Sequence, residues 1–184
     1  MNSMSKYHDD CCRKDPCHHE ECKKEPCCHE EPCCHEESCP TLIRCSQPGS
    51  VTIPATTVLG TVFPLTSLTV NTSCVKNPCI KLEFSSNLIA TVAFTGTLNF
   101  QVFKQCRGQF TPVPIGPSYQ FNLVALLSSQ TFSFFVCDCD SCSCDDCCTY
   151  TVTATVTSAV TVGTLSINNA SLGAIVACGT GSCC

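Results

Sequence analysis

Thr149-Tyr150-Thr151-Val152-Thr153-Ala154-Thr155-Val156-Thr157 alternates polar and apolar side chains without a break. Successive side chains of a strand point to opposite faces, so Tyr150, Val152, Ala154 and Val156 share one face and the threonines form a ladder on the other. A strand with one buried and one wet face belongs to an antiparallel sheet packed on a core.

The same pattern extends outward. Lys81-Leu82-Glu83-Phe84-Ser85 alternates in the same way. Segments rich in Val, Ile, Thr and Phe at 50–53, 57–63, 66–72, 88–95, 97–104, 119–127, 130–137, 162–168 and 171–177 are separated by Gly, Pro, Asn and Ser. That punctuation marks strands joined by turns. No ten-residue stretch combines a 3.6-residue apolar period with helix caps. Nine or ten strands within 41–184 predict an all-β fold, an antiparallel two-sheet sandwich of jelly-roll type. Its expected core is Leu82, Phe84, Leu98, Phe100, Val102, Phe121, Leu123, Phe132, Phe134, Val152, Val156, Leu165, Ile167 and Leu172. The long β-branched run 149–157 is expected to serve as an edge that accepts a neighbour's strand.

Residues 1–40 are of another kind. The chain has 22 cysteines in 184 residues, and nine of them precede Pro40 together with all five histidines: His8, His18, His19, His29 and His35. Glu-Pro-Cys-Cys-His-Glu occurs in tandem at 25–30 and 31–36. Between Ser5 and Cys39 there is no Leu, Ile, Val or Phe. Such a stretch cannot build a core, so a disordered or extended Cys/His-rich arm is expected ahead of the sandwich.

The net charge of -5 is carried by the arm, where ten of the fifteen acidic and five of the ten basic residues lie. A balanced body without a basic face argues against nucleic acid as a partner. No apolar run near the start has the length of a signal-peptide core or a membrane span. Neither membrane association nor signal-directed export is therefore expected. Disulfides rarely persist in a reducing cytosol; the thiols either hold metal there or oxidise once the protein reaches the outside by lysis or assembly.

Six cysteines crowd into 137–148: Cys137, Cys139, Cys142, Cys144, Cys147 and Cys148. Their C-x-C and C-C spacings resemble metallothionein, whose thiolates bridge soft metals. A loop whose cysteines pair with one another or with a neighbour accounts for the same residues. Cys74 and Cys79 bracket the turn sequence Val-Lys-Asn-Pro, and they can bridge to each other, to Cys106 or to the cluster, since spacing does not fix connectivity. With Cys178 these are the candidates for disulfides within the body. In the arm, Cys11, Cys12, Cys17, Cys22, Cys27, Cys28, Cys33, Cys34 and Cys39 are candidates for intermolecular bonds, as are Cys183 and Cys184 at the other terminus. The alternative is a Zn or Cu site drawn from His18, His19, His29, His35, Cys28 and Cys34, although the six-residue period matches no zinc finger, knuckle or ribbon. Thiols at both ends and in one loop favour a polymer over a closed monomer.

Catalysis has little material. Every histidine lies in the arm, so the body lacks a Ser-His-Asp or Cys-His site. Its acidic residues are Glu83, Asp138, Asp140, Asp145 and Asp146, four of them in the Cys-rich loop, and no phosphate-binding Gly-rich loop occurs. No enzyme activity and no cofactor are expected.

Asn71-Thr72-Ser73-Cys74, Pro78-Cys79-Ile80-Lys81-Leu82-Glu83-Phe84, Phe100-Gln101-Val102-Phe103-Lys104, Phe132-Ser133-Phe134-Phe135-Val136-Cys137-Asp138-Cys139-Asp140 and Cys147-Cys148-Thr149-Tyr150-Thr151-Val152 together resemble a Cys-rich domain family of spore-forming Bacillota. Ser166-Ile167-Asn168-Asn169-Ala170-Ser171-Leu172-Gly173-Ala174-Ile175-Val176 is more loosely similar to the last hairpin of endospore-appendage subunits. The appendage resemblance implies a jelly-roll subunit that stacks with copies of itself into a spore-surface fibre. Residues 1–39 would then be a connector whose cysteines bond to other subunits. It also implies synthesis in the mother cell and oxidation on a spore surface, with other spore-surface proteins as further partners.

Overall fold

The computed structural model describes residues 41–73, 75–90, 93–125, 127–139 and 147–179, with the side chains of 123 and 125 left aside. The expected arm lies outside the described residues. Nine strands follow one another: β1 (Leu42–Cys45), β2 (Gly49–Ile53), β3 (Val62–Asn71), β4 (Pro78–Ala90), β5 (Phe94–Cys106), β6 (Val113–Ala125), β7 (Ser128–Asp138), β8 (Cys147–Val156) and β9 (Leu165–Cys178). Among the described residues no helix is long and apolar enough to cross a membrane.

The pairing is nested and antiparallel: β5 with β6, β4 with β7, β3 with β8 and β2 with β9. This is one long hairpin ribbon. Rolling it up brings β9 beside β4 and β8 beside β5, which gives a five-stranded sheet ordered β1-β9-β4-β7, with β2 also on β9, and a four-stranded sheet ordered β3-β8-β5-β6. Strand order and layering are those of a jelly roll.

The core sits between the sheets, where alternation sends every second side chain inward. Eleven residues of the expected core are buried, among them Leu82, Phe84, Phe100, Val152 and Ile167. Phe121 and Phe132 are partly buried and pack at its rim; Leu123 falls outside the described side chains. Phe84, Phe100, Phe132 and Phe134 form a cluster with ring centroids 4.5 to 6.1 Å apart. Tyr119 stacks on Phe134 at 4.3 Å, and its hydroxyl donates to the Phe135 carbonyl at 2.7 Å. These contacts draw β6 of one sheet over β7 of the other.

Several expectations are corrected. Segments 57–63 and 66–72 reduce to one strand, β3, bulged between Pro64 and Thr66, while Val58 makes only an isolated bridge to Val160. The expected break at 96 lies instead between Ala90 and Phe94. Segments 162–168 and 171–177 are a single strand, because Asn168-Asn169 forms no turn. Asn169 takes φ 54° and the chain continues along β4 through a register shift opposite Ser85 and Asn87. The run 149–157 is not an edge: β8 lies between β3 and β5 and spends both hydrogen-bonding sides on them. Gly49 opens β2 where a Cβ would collide with the Leu65 carbonyl oxygen, so the close approach of β2 to β3 requires glycine.

Candidate cross-linking sites

One end of the roll gathers the chemistry. Its register sets Cys106 of β5 opposite Cys148 of β8, Ile80 of β4 opposite Asp138 of β7, and Pro78 of β4 opposite Cys178 of β9. Cys106 and Cys148 form a disulfide with Cα atoms 4.0 Å apart. Cys79 bonds to Cys139 at the same Cα separation, and Cys178 is also disulfide-bonded. The two bridges close loops of 42 and 60 residues, each restricting the unfolded chain by about 4 kcal/mol in the chain-entropy account. Cys147 is buried. Cys74, Cys142 and Cys144 lie outside the described residues.

Beside these bridges runs an ionic contact between the sheets. Lys104 Nζ on β5 is 2.7 Å from Asp138 Oδ2 on β7, with side chains 12% and 7% exposed. Tyr150 on β8 is fully buried and donates its hydroxyl to the same oxygen at 2.7 Å. Burial, then the hydrogen bond to Asp138 and its charge, push the Tyr150 phenol far above its ordinary value. Alternation along 149–157 put Tyr150 on the buried face, but nothing in it revealed the Asp138 carboxylate that accepts from its hydroxyl or the Lys104 ammonium on the same oxygen.

Cys137, grouped by the sequence with the bridge-forming cysteines, is instead an exposed free thiol, and so is Cys45. Alternation decides the case of Cys137: its neighbours Val136 and Asp138 point inward and it points out. Cys45 was missed as a candidate, because β1 is only four residues long and carries no alternation to read. Both thiols stand on the outer face of the five-stranded sheet. Cross-strand partners form one row Ile43, Ile175, Lys81, Cys137 and the next row Cys45, Gly173, Glu83, Phe135. Three strand spacings separate β1 from β7, about 14 Å, well beyond the roughly 7 Å Cα limit for a disulfide. The two thiols of one molecule therefore cannot pair with each other.

Between them lies a shallow groove of about 320 Å³ floored by Gly173 and flanked by Ile43, Cys45, Lys81 and Ile175. Ile43 is 66% and Phe135 58% exposed. Lys81 covers the Phe135 ring at 5.3 Å and pairs with Glu83 at 3.4 Å. Among the described residues no three or more His, Cys, Asp or Glu side chains group to hold a metal ion. His18, His19, His29 and His35, the arm cysteines from Cys11 to Cys39, and Cys183 and Cys184 lie outside the described residues.

A family model described as a domain of unknown function (DUF4489) matches residues 39–178. Among curated proteins none matches. Among solved structures, one of infectious bursal disease virus, Gx strain, is similar at 8% identity with a TM-score of 0.43, over 83% of this chain and 42% of that one. A carbohydrate-binding module specific for non-crystalline cellulose, CBM28, is similar at 15% identity with a TM-score of 0.34, over 61% of this chain and 73% of that one. The chain thus spans less than half the length of the viral protein it matches.

Proposed function

The chain belongs to the DUF4489 family, and from that premise we propose that it is a structural, self-assembling subunit of a disulfide-cross-linked fibre or coat on a spore surface. The observation that carries this is the division of its thiols. Cys79, Cys106, Cys139, Cys148 and Cys178 are consumed in disulfides, while Cys45 and Cys137 face outward from opposite edge strands. Two outward thiols too distant to pair with each other are placed to bond to another chain. Arm and C-terminal cysteines add further reach.

Strand addition supplies the non-covalent contact. In the four-stranded sheet the edge strands are guarded by proline, Pro64 in β3 and Pro114 and Pro117 in β6. In the five-stranded sheet β1 and β2 are short, whereas β7 has eleven residues and no proline. We assign the docking edge to β7, next to Cys137, in place of the interior run 149–157. The spore-surface location rests on the resemblance of the Cys-rich segments, and more loosely of residues 166–176 within β9, to spore proteins.

The test is a non-reducing gel of the purified full chain after its free thiols are alkylated, beside a reduced sample. A high-mass ladder that collapses to monomer on reduction is expected. A single monomer band before reduction overturns the proposal, and bound Zn or Cu released by a chelator from such a monomer would put the metal-binding alternative in its place.

A further inference from the structure

Both described disulfides run within a sheet: Cys106–Cys148 joins adjacent strands of the four-stranded sheet, and Cys79–Cys139 joins β4 to the residue after β7 in the other. Neither ties one sheet to the other. Lys104 and Asp138 meet across that gap at 2.7 Å, nearly closed off from solvent, with the Tyr150 hydroxyl on the same carboxylate oxygen. We propose that this is a site of covalent modification, in which the Lys104 amine and the Asp138 carboxyl condense within the folded chain to an amide that bridges the two sheets.

The step balances without a co-reactant. One proton passes from the Lys104 ammonium to the Asp138 carboxylate across the 2.7 Å contact, giving the neutral amine and acid from which the condensation starts. The nitrogen lone pair then attacks the carboxyl carbon and the C–N bond forms. A second amine proton moves to the departing oxygen, the C–O bond breaks, and one water leaves. Ammonium and carboxylate go in, amide and water come out, and nothing is oxidised or reduced. In water both ions are too well solvated and too seldom aligned to react; here the fold holds them in contact. Tyr150 donates its O–H to Oδ2, the same oxygen that takes the Lys104 proton and departs as water, and so holds and polarises the leaving group. Because burial keeps that phenol protonated, it remains a donor throughout. The product replaces a costly buried ion pair with a neutral group.

Intact mass of the purified full chain, fully reduced and alkylated, with a peptide map, tests this. The expected mass lies one water below that of the alkylated sequence, and the map contains a branched peptide joining the segments around Lys104 and Asp138. Lys104→Arg restores the full mass. Tyr150→Phe, which keeps the ring, loses water on the order of 100-fold more slowly after refolding. A wild-type chain at full mass with the two segments recovered separately overturns the proposal. So does a one-water loss that maps elsewhere or persists in Lys104→Arg.

Discussion

The two ends of the roll are closed by different chemistry. At one end strand termini are joined by Cys79–Cys139, Cys106–Cys148 and the Lys104–Asp138–Tyr150 contact. At the other the described residues hold no cysteine, and the closure is made by threonine and backbone. Thr161 Oγ1 accepts from Thr57 N at 3.1 Å and donates to the Pro54 carbonyl at 3.0 Å. Thr161 N donates to the Thr57 carbonyl at 3.0 Å and Thr56 N to the Thr161 carbonyl at 2.8 Å, and Thr95 and Val162 pair at 2.9 Å in both directions. Hydrogen bonds close one end of the roll, and disulfides with a buried ion pair close the other. Among the described residues, the disulfide bridges lie at that end.

The largest effect is expected from Cys106→Ala combined with Cys148→Ala, a loss of about 4 kcal/mol in urea unfolding. Hydrogen exchange should loosen at the cysteine end while the threonine end keeps its protection; equal loosening would break the comparison. Next comes Lys104→Met, which strands the buried Asp138 charge and is expected to be about 3 kcal/mol less stable than the double variant Lys104→Met with Asp138→Leu. At the threonine end, Thr161→Val removes two hydrogen bonds and orphans the Thr57 N–H, for a loss of about 2 kcal/mol that reductant does not alter.

A pH effect sharpens the contrast further. Tyr150 has its folded-state pKa raised above the ordinary value of 10.0, chiefly by burial. The folded chain therefore binds this proton more tightly than the unfolded chain. Its contribution is complete below that value and is lost as the pH climbs toward the folded-state value, at about 1.4 kcal/mol per pH unit. Unfolding measured on the alkaline side of 10 should show this slope in the wild type and lose it in Tyr150→Phe. The smallest change is expected for Cys45→Ser with Cys137→Ser, within about 0.5 kcal/mol, since both side chains are exposed.

What the sequence revealed follows its periodicities. β8 and β4 could be seen because alternation is local, and most of the core came with them. β9 reads as two segments with Asn169-Ala170 between them, a break that pairing with β4 overrides by a bulge. β1 was invisible at four residues. The bridges could not be read because the nesting of the roll pairs cysteines 42 and 60 residues apart, a consequence of topology and not of spacing. Lys104 and Asp138 looked like ordinary polar positions of a strand and a loop; only the stacking of one sheet on the other brings them together.

The central claim, that outward thiols join separate chains, is tested most directly by oxidising an equal mixture of isotopically light and heavy full-length protein and identifying the disulfide-linked peptides by mass spectrometry. The account predicts bridges from Cys45 or Cys137 to a cysteine of the opposite label, with Cys106–Cys148 always within one label. Bridges of Cys45 and Cys137 confined to a single label, or both thiols still reduced after oxidation, would contradict it.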